Sequence, residues 1–163
     1  MEVTDTITQT IEDEREGETP VASSSLLGGN GLHFMRSPDI LIVDDSDFNR
    51  LVLAKMLEAL NLQADEASSG LRAISTIREH IKRRHYYRLI LMDMEMPEID
   101  GITATQEIRT MEITGELPER PKIVCCTAHR GQEDIEKCIS AGMDDYLEKP
   151  ISRTKLQELV SVL

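Results

Sequence analysis

Residues 39–45, DILIVDD, set four apolar side chains in a row and follow them with two acids. A run without polar alternation predicts a strand covered on both faces, as in a parallel sheet between helices. From there on, such runs take turns with segments of helical period. Ser46 is a candidate N-cap, and Phe48, Val52, Met56 and Leu60 recur behind it at every fourth position, predicting a first helix. QADEAS (63–68) predicts a weak, polar strand near a sheet edge, and Leu71, Ile74, Ile77 and Ile81 stripe a second helix. RLILMD (88–93) predicts a third strand; Ala104, Ile108 and Met111 mark a third helix, entered through Asp100-Gly101. KIVCCTA (122–128) predicts a fourth strand, and Ile135, Cys138 and Ile139 a fourth helix that Gly142 closes as a left-handed cap. MDDYLE (143–148) reads as a short fifth strand, and Leu156, Leu159, Val160 and Leu163 stripe the last helix.

Five strand–helix units in succession predict one α/β domain, a parallel sheet with right-handed crossovers and helices on both faces. Sites in such sheets open at the carboxyl ends of the strands, near the point where strand order reverses. The residues at those ends are Asp44-Asp45, Asp93, Thr127-Ala128 and Lys149-Pro150. Three carboxylates at close quarters repel one another, and burial returns their protons. A hard divalent cation removes the conflict, because Mg²⁺ takes a few carboxylates together with water and phosphate oxygens. With Lys149 and Thr127 beside it, an Asp in this setting suits in-line phosphoryl transfer, serving as a nucleophile that forms an acyl phosphate. Neither a GxxxxGK[ST] loop nor a GxGxxG is present, so the expected donor is a protein rather than a nucleotide.

Composition narrows the classes further. A net charge of −12 excludes a non-specific nucleic-acid binder, which needs a basic face. Residues 1–36 carry mostly Thr, Glu, Ser and Gly with few large apolar groups, and are expected to be a disordered tail or linker ahead of a domain at 37–163. The N-terminus lacks the basic start and apolar centre of a signal peptide, and no apolar run approaches the length of a membrane span. Cys125, Cys126 and Cys138 form no disulfide framework and no CxxC pattern, so they read as small core residues of a cytoplasmic, reducing setting. The run Lys82-Arg83-Arg84-His85 reads as a solvated helix end.

Taken together, VDDSDFNRLVL (43–53), LILMDMEMPEIDG (89–101), IVCCTAH (123–129) and CISAGMDDYLEKPI (138–151) resemble the receiver domains of response regulators, and within them the receivers of hybrid histidine kinases. The resemblance covers about residues 38–163 and implies a flavodoxin-like, doubly wound sheet of order 2-1-3-4-5 with five helices. It implies Asp93 as phospho-acceptor, Asp45 as a direct Mg²⁺ ligand, Asp44 acting partly through water, and Glu95 lending a backbone carbonyl to the metal. Lys149 would pair with the phosphoryl group, Thr127 would move to hydrogen-bond it, and Tyr146 would follow in a switch read out over 131–163. Glu95 and His129 occupy the positions that influence phosphoryl lifetime, and Lys149-Pro150 is expected to be cis. Glu98 and Asp100 read as solvated loop acids, with Asp100 a candidate cap, while Pro97 and Gly101 shape the loop leaving the strand.

The implied partners are a histidine kinase or a histidine phosphotransfer protein, with no direct nucleic-acid or membrane contact. The chain is expected to be a monomer or a weak, phosphorylation-dependent dimer, and not an enzyme in its own right. It would be a stand-alone receiver or one cut from a hybrid kinase. Two alternatives remain at this point. A haloacid-dehalogenase-type phosphatase also uses an Asp nucleophile and Mg²⁺, but expects Asp-x-Asp where this chain has Asp93-Met94-Glu95. A receiver-like interaction module that is never phosphorylated would have no need of the full acidic set. Arg88, where many relatives carry an acid, and the long link at 111–121 leave partner specificity open.

Overall fold

The computed structural model describes residues 38–163 except His129 and Arg130. The expectations for the tail at 1–36 and for His129 therefore lie outside the described residues. Ten elements alternate: β1 Ile40–Val43, α1 Asp47–Glu58, β2 Ala64–Ala67, α2 Gly70–Lys82, β3 Leu89–Asp93, α3 Gly101–Ile113, β4 Lys122–Thr127, α4 Gln132–Ser140, β5 Asp145–Glu148 and α5 Arg153–Val160. All pairings are parallel and the strand order is β2-β1-β3-β4-β5, as expected. The polar β2 does lie at an edge. Among the described residues no helix is long and apolar enough to cross a membrane.

The strands are apolar on both faces because each face has its own core. Ile40, Ile42, Leu89, Leu91, Val124, Cys126 and Leu147 pack with Leu53 and Leu57 of α1 and Leu156 and Leu159 of α5. Their neighbours Leu41, Val43, Ile90, Met92, Ile123 and Cys125 pack with Ile74 and Ile77 of α2, Ile108 and Met111 of α3 and Cys138 of α4. This period of two has a consequence at the strand ends. Asp44 lies two beyond Ile42, Asp93 two beyond Leu91 and Lys149 two beyond Leu147, so all three continue the α1–α5 side.

Polar residues fix the helix starts. Ser46 Oγ accepts from Asn49 N at 3.4 Å, Ser69 Oγ from Arg72 N at 3.2 Å and Asp100 Oδ1 from Thr103 N at 2.7 Å. Ser46→Ala should cost about 1 kcal/mol by loss of the cap, measurable as a shifted urea midpoint with unchanged slope. The fourth helix ends as expected: Gly142 has φ 101°, its N–H donates to Ile139 O, and Met143 N–H donates to Cys138 O. That pair of bonds is the Schellman arrangement, which favours glycine at the left-handed position.

Four side chains depart from the expected pattern. In α1 the buried pair is Leu53 and Leu57, while Phe48, expected in the apolar stripe, is 71% exposed. A strict every-fourth-residue row drifts around a helix of 3.6 residues per turn, and α1 is apolar on more than one side, so that row does not mark its core face. Leu71 and Ile139 also point outward, because Ala73 and Cys138 take the places against the sheet. The basic run is solvated only in part. Lys82, Arg83 and Arg84 are exposed, but His85 turns back so that its Nε2 lies 2.8 Å from Pro38 O.

Candidate functional site

The site forms where β1 and β3 end side by side. Val43 pairs with Met92, so the next residues, Asp44 and Asp93, leave the sheet as neighbours. Asp44 is 1% and Asp93 7% exposed, and Asp45 is open to solvent. Oxygen atoms of Asp44, Asp45 and Asp93 all lie within 4.8 Å of one another. Lys149 arrives from the end of β5 and bridges two of them, with Nζ 2.7 Å from Asp44 Oδ2 and 2.7 Å from Asp93 Oδ1. The Lys149-Pro150 bond is cis, as expected, and Lys149 N–H donates to Thr127 O at 2.8 Å. Thr127 is buried at the end of β4.

The charges do not balance. Burial pushes the Asp93 carboxyl above its usual range; the Lys149 ammonium and the Glu95 backbone N–H pull it down, the Asp44 charge adds to the rise, and the net is upward. Lys149 also moves up: burial would lower it, but its hydrogen bonds to Asp44 and Asp93 outweigh burial. Both shifts rise together because one ammonium serves two acids, so it is doubly satisfied while the carboxylates are under-compensated. An all-oxygen set short of positive charge is the donor chemistry that fits Mg²⁺. Asp44, Asp45 and Asp93 are the residues that could hold it.

The stretch after Asp93 shapes the exit from the strand. Glu95 and Glu98 are exposed, and Glu98 adopts a left-handed φ of 69°. Asp100 caps α3, as expected. Gly101 closes the loop by donating its N–H to Met94 O at 3.0 Å. A Cβ at Gly101 would lie 2.1 Å from the Asp93 carbonyl oxygen and 3.1 Å from Met92 Cγ. The obstacle is backbone, which cannot rotate away. Gly101→Ala should therefore displace Asp93, costing about 1–3 kcal/mol of stability as an overpacked site and slowing any chemistry there. Thermal melting and the rate of modification at Asp93 would check both effects.

Tyr146 stands 45% exposed on β5, outside the core. The cysteines are core residues: Cys125 and Cys138 lie with sulfurs 3.1 Å apart as free thiols, and burial pushes the Cys126 thiol up to about 12. Two residues at the site escaped the sequence reading. Asn49 Nδ2 lies 3.1 Å from each carboxylate oxygen of Asp44, and Arg50 Nη1 donates to the Asp44 carbonyl at 2.8 Å. The available signal was spacing, since a side chain one turn past a Ser46 cap turns back toward the strand end.

Residues 40–161 match the response regulator receiver domain family. Hybrid signal transduction histidine kinase L of Dictyostelium discoideum is 36% identical over 121 residues, 74% of this chain; the chain spans only 7% of that protein's length. The receiver domain of sensor histidine kinase PA1611 from Pseudomonas aeruginosa PAO1, solved with a magnesium ion coordinated in its active site cleft, superposes with a TM-score of 0.64 at 37% identity, covering 76% of this chain and 93% of that one. The receiver domain of the Saccharomyces cerevisiae response regulator Ssk1, solved in complex with the histidine phosphotransfer protein Ypd1, gives a TM-score of 0.66 at 29% identity over 75% of this chain and 85% of that one.

Proposed function

Because this chain belongs to the response regulator receiver domain family, we propose that it takes a phosphoryl group from a phosphohistidine onto Asp93. The observation that carries this is the Lys149 ammonium shared between Asp44 and Asp93 inside a cluster completed by Asp45. The donor is a histidine kinase or a histidine phosphotransfer protein, the class that the Ssk1 receiver meets in its complex. An Asp93 carboxylate oxygen attacks phosphorus, the P–N bond breaks, and its electron pair leaves on the histidine imidazole. Mg²⁺ held by Asp44, Asp45, Asp93 and the Glu95 carbonyl would neutralise charge on the phosphoryl oxygens. Lys149 is placed to exchange a carboxylate for a phosphoryl oxygen, which keeps its ammonium paired throughout.

Thr127, buried beside the site, would donate its hydroxyl to the phosphoryl group, and the exposed Tyr146 ring would follow it inward. That movement shifts a two-state equilibrium on the face made by α4, β5 and α5. Glu95 and His129 would set how long the phosphoryl group survives. We further infer that residues 37–163 are the receiver, with 1–36 a tail or linker, in a cytoplasmic signalling module with no substrate turnover beyond its own phosphoryl transfer and hydrolysis. Incubation with Mg²⁺ and a phosphohistidine donor should give a label stable to acid and labile to alkali. No label, or a label that survives chelation of all divalent metal, would refute the assignment.

A further inference from the structure

Asp44 is almost wholly buried, and each of its carboxylate oxygens faces two donors. Ser46 N–H reaches Oδ1 at 2.9 Å, Lys149 Nζ reaches Oδ2 at 2.7 Å, and the Asn49 amide nitrogen lies 3.1 Å from both oxygens. These donors are not equivalent. Lys149 is shared with Asp93, so it is the one that must let go when a more highly charged phosphoryl oxygen arrives. Were Lys149 the only group aiming the Asp44 side chain, the carboxylate would lose its orientation at the moment of transfer. Asn49 is held independently of it. Its own N–H is capped by Ser46 Oγ in the first turn of α1, and the next residue, Arg50, grips the Asp44 carbonyl.

Resting on the receiver reading above, we infer that Asn49 is a positioning residue that holds the Asp44 carboxylate fixed while Lys149 changes partner, keeping the cation pocket in shape. An amide suits the task because it brings donors without charge. An acid there would repel Asp44, and a lysine would cancel the negative charge that a cation needs. Groups that orient metal-binding carboxylates from behind typically contribute 10–100-fold to metal affinity.

Calorimetric titration with Mg²⁺, with no phosphoryl donor present, tests this on the whole chain. Asn49→Ala and the closer-sized Asn49→Leu should both bind Mg²⁺ about 10–100-fold more weakly than the wild type. In an Asp44→Asn background the same changes should have no further effect, because the residue they act through is already altered. A merely structural role for Asn49 would lower the melting temperature but leave the Mg²⁺ affinity alone. Unchanged affinity in the single variants, or an equal loss in both backgrounds, overturns the inference and leaves the receiver assignment standing. A wild type that binds no Mg²⁺ overturns both.

Discussion

Asp93→Asn should abolish the alkali-labile label and, in metal-free buffer at neutral pH, should raise the melting temperature. The first effect follows from chemistry: an amide has no anionic oxygen to attack phosphorus, and the one other carboxylate at the site with both burial and a lysine contact, Asp44, has two donors on each oxygen holding it in place. The second follows from the sign of the shift. The Asp93 pKa is raised in the fold, chiefly by burial, so the folded state binds its proton more tightly than the unfolded state does. Below the ordinary carboxylate pKa both states are protonated and the group has no net effect. As pH rises through that value toward the raised one, the unfolded chain ionises first and stability falls. Asparagine keeps the shape and deletes this penalty, so the gain should be absent in strong acid and present at neutral pH. The loss of one Lys149 contact is already counted, because the upward shift is what remains after the lysine's pull. Added Mg²⁺ should then stabilise the wild type more than the variant, by mass action on the folded state. A label persisting in Asp93→Asn, or a metal-free variant that melts below the wild type at neutral pH, would refute the assigned role.

The carboxylate cluster around Asp93 was legible because a chain rule and a chemical rule meet on it. Apolar runs at 40–43, 89–92 and 123–126 announce strands covered on both faces, and the residues just past them must cluster at one end of a parallel sheet. What stayed hidden was whatever depends on where a helix turns. Phe48 and Leu57 are equally apolar, and only packing against α5 and the sheet decides that Leu57 goes in. Asn49 looks like any polar residue in a first turn until the angle of α1 aims it at Asp44. Tyr87 sat unremarked beside a basic run, yet it is 4% exposed and its hydroxyl donates to Asp65 at 2.6 Å. Charged side chains are the hardest case. An Arg inside a helix reads as solvated, because its partners are remote in sequence and no local pattern points to them.

Arg109 is that case, and Arg109→Leu should strongly destabilise the domain. The residue is 8% exposed in α3. Nε donates to Gly142 O at 2.8 Å, Nη1 to Pro121 O at 3.1 Å and Nη2 to Asp144 Oδ2 at 2.6 Å, with a further ion pair to Glu112. One side chain thus ties α3 to the starts of β4 and β5 and to the turn closing α4. Leucine would fill part of the volume but strand two carbonyls, leaving Glu112 with only the more exposed Arg120 and Asp144 with Arg120 and the Ile123 N–H. Breaking a buried charge pair from one side costs about 3–5 kcal/mol; the solvent exposure of Asp144 puts this loss toward the lower figure, on the order of 10 °C in melting temperature for a domain of this size. The pH dependence gives the mechanism away. Burial would raise the Asp144 carboxyl, but the Ile123 N–H and the two arginines overcome it and hold the pKa below the usual range. Such a group stabilises the fold above the ordinary carboxylate pKa, and that contribution is lost as pH falls through the lowered value. The gap between wild type and Arg109→Leu should therefore narrow in acid. Adding Asp144→Asn to Arg109→Leu should recover part of the loss at neutral pH, since it removes the carboxylate that has lost its Arg109 contact. Urea unfolding of the wild type, Arg109→Leu, Asp144→Asn and the double variant across pH would decide it: a gap independent of pH, with no recovery in the double variant, would mean that Arg109 acts through packing of its stem rather than through its charge.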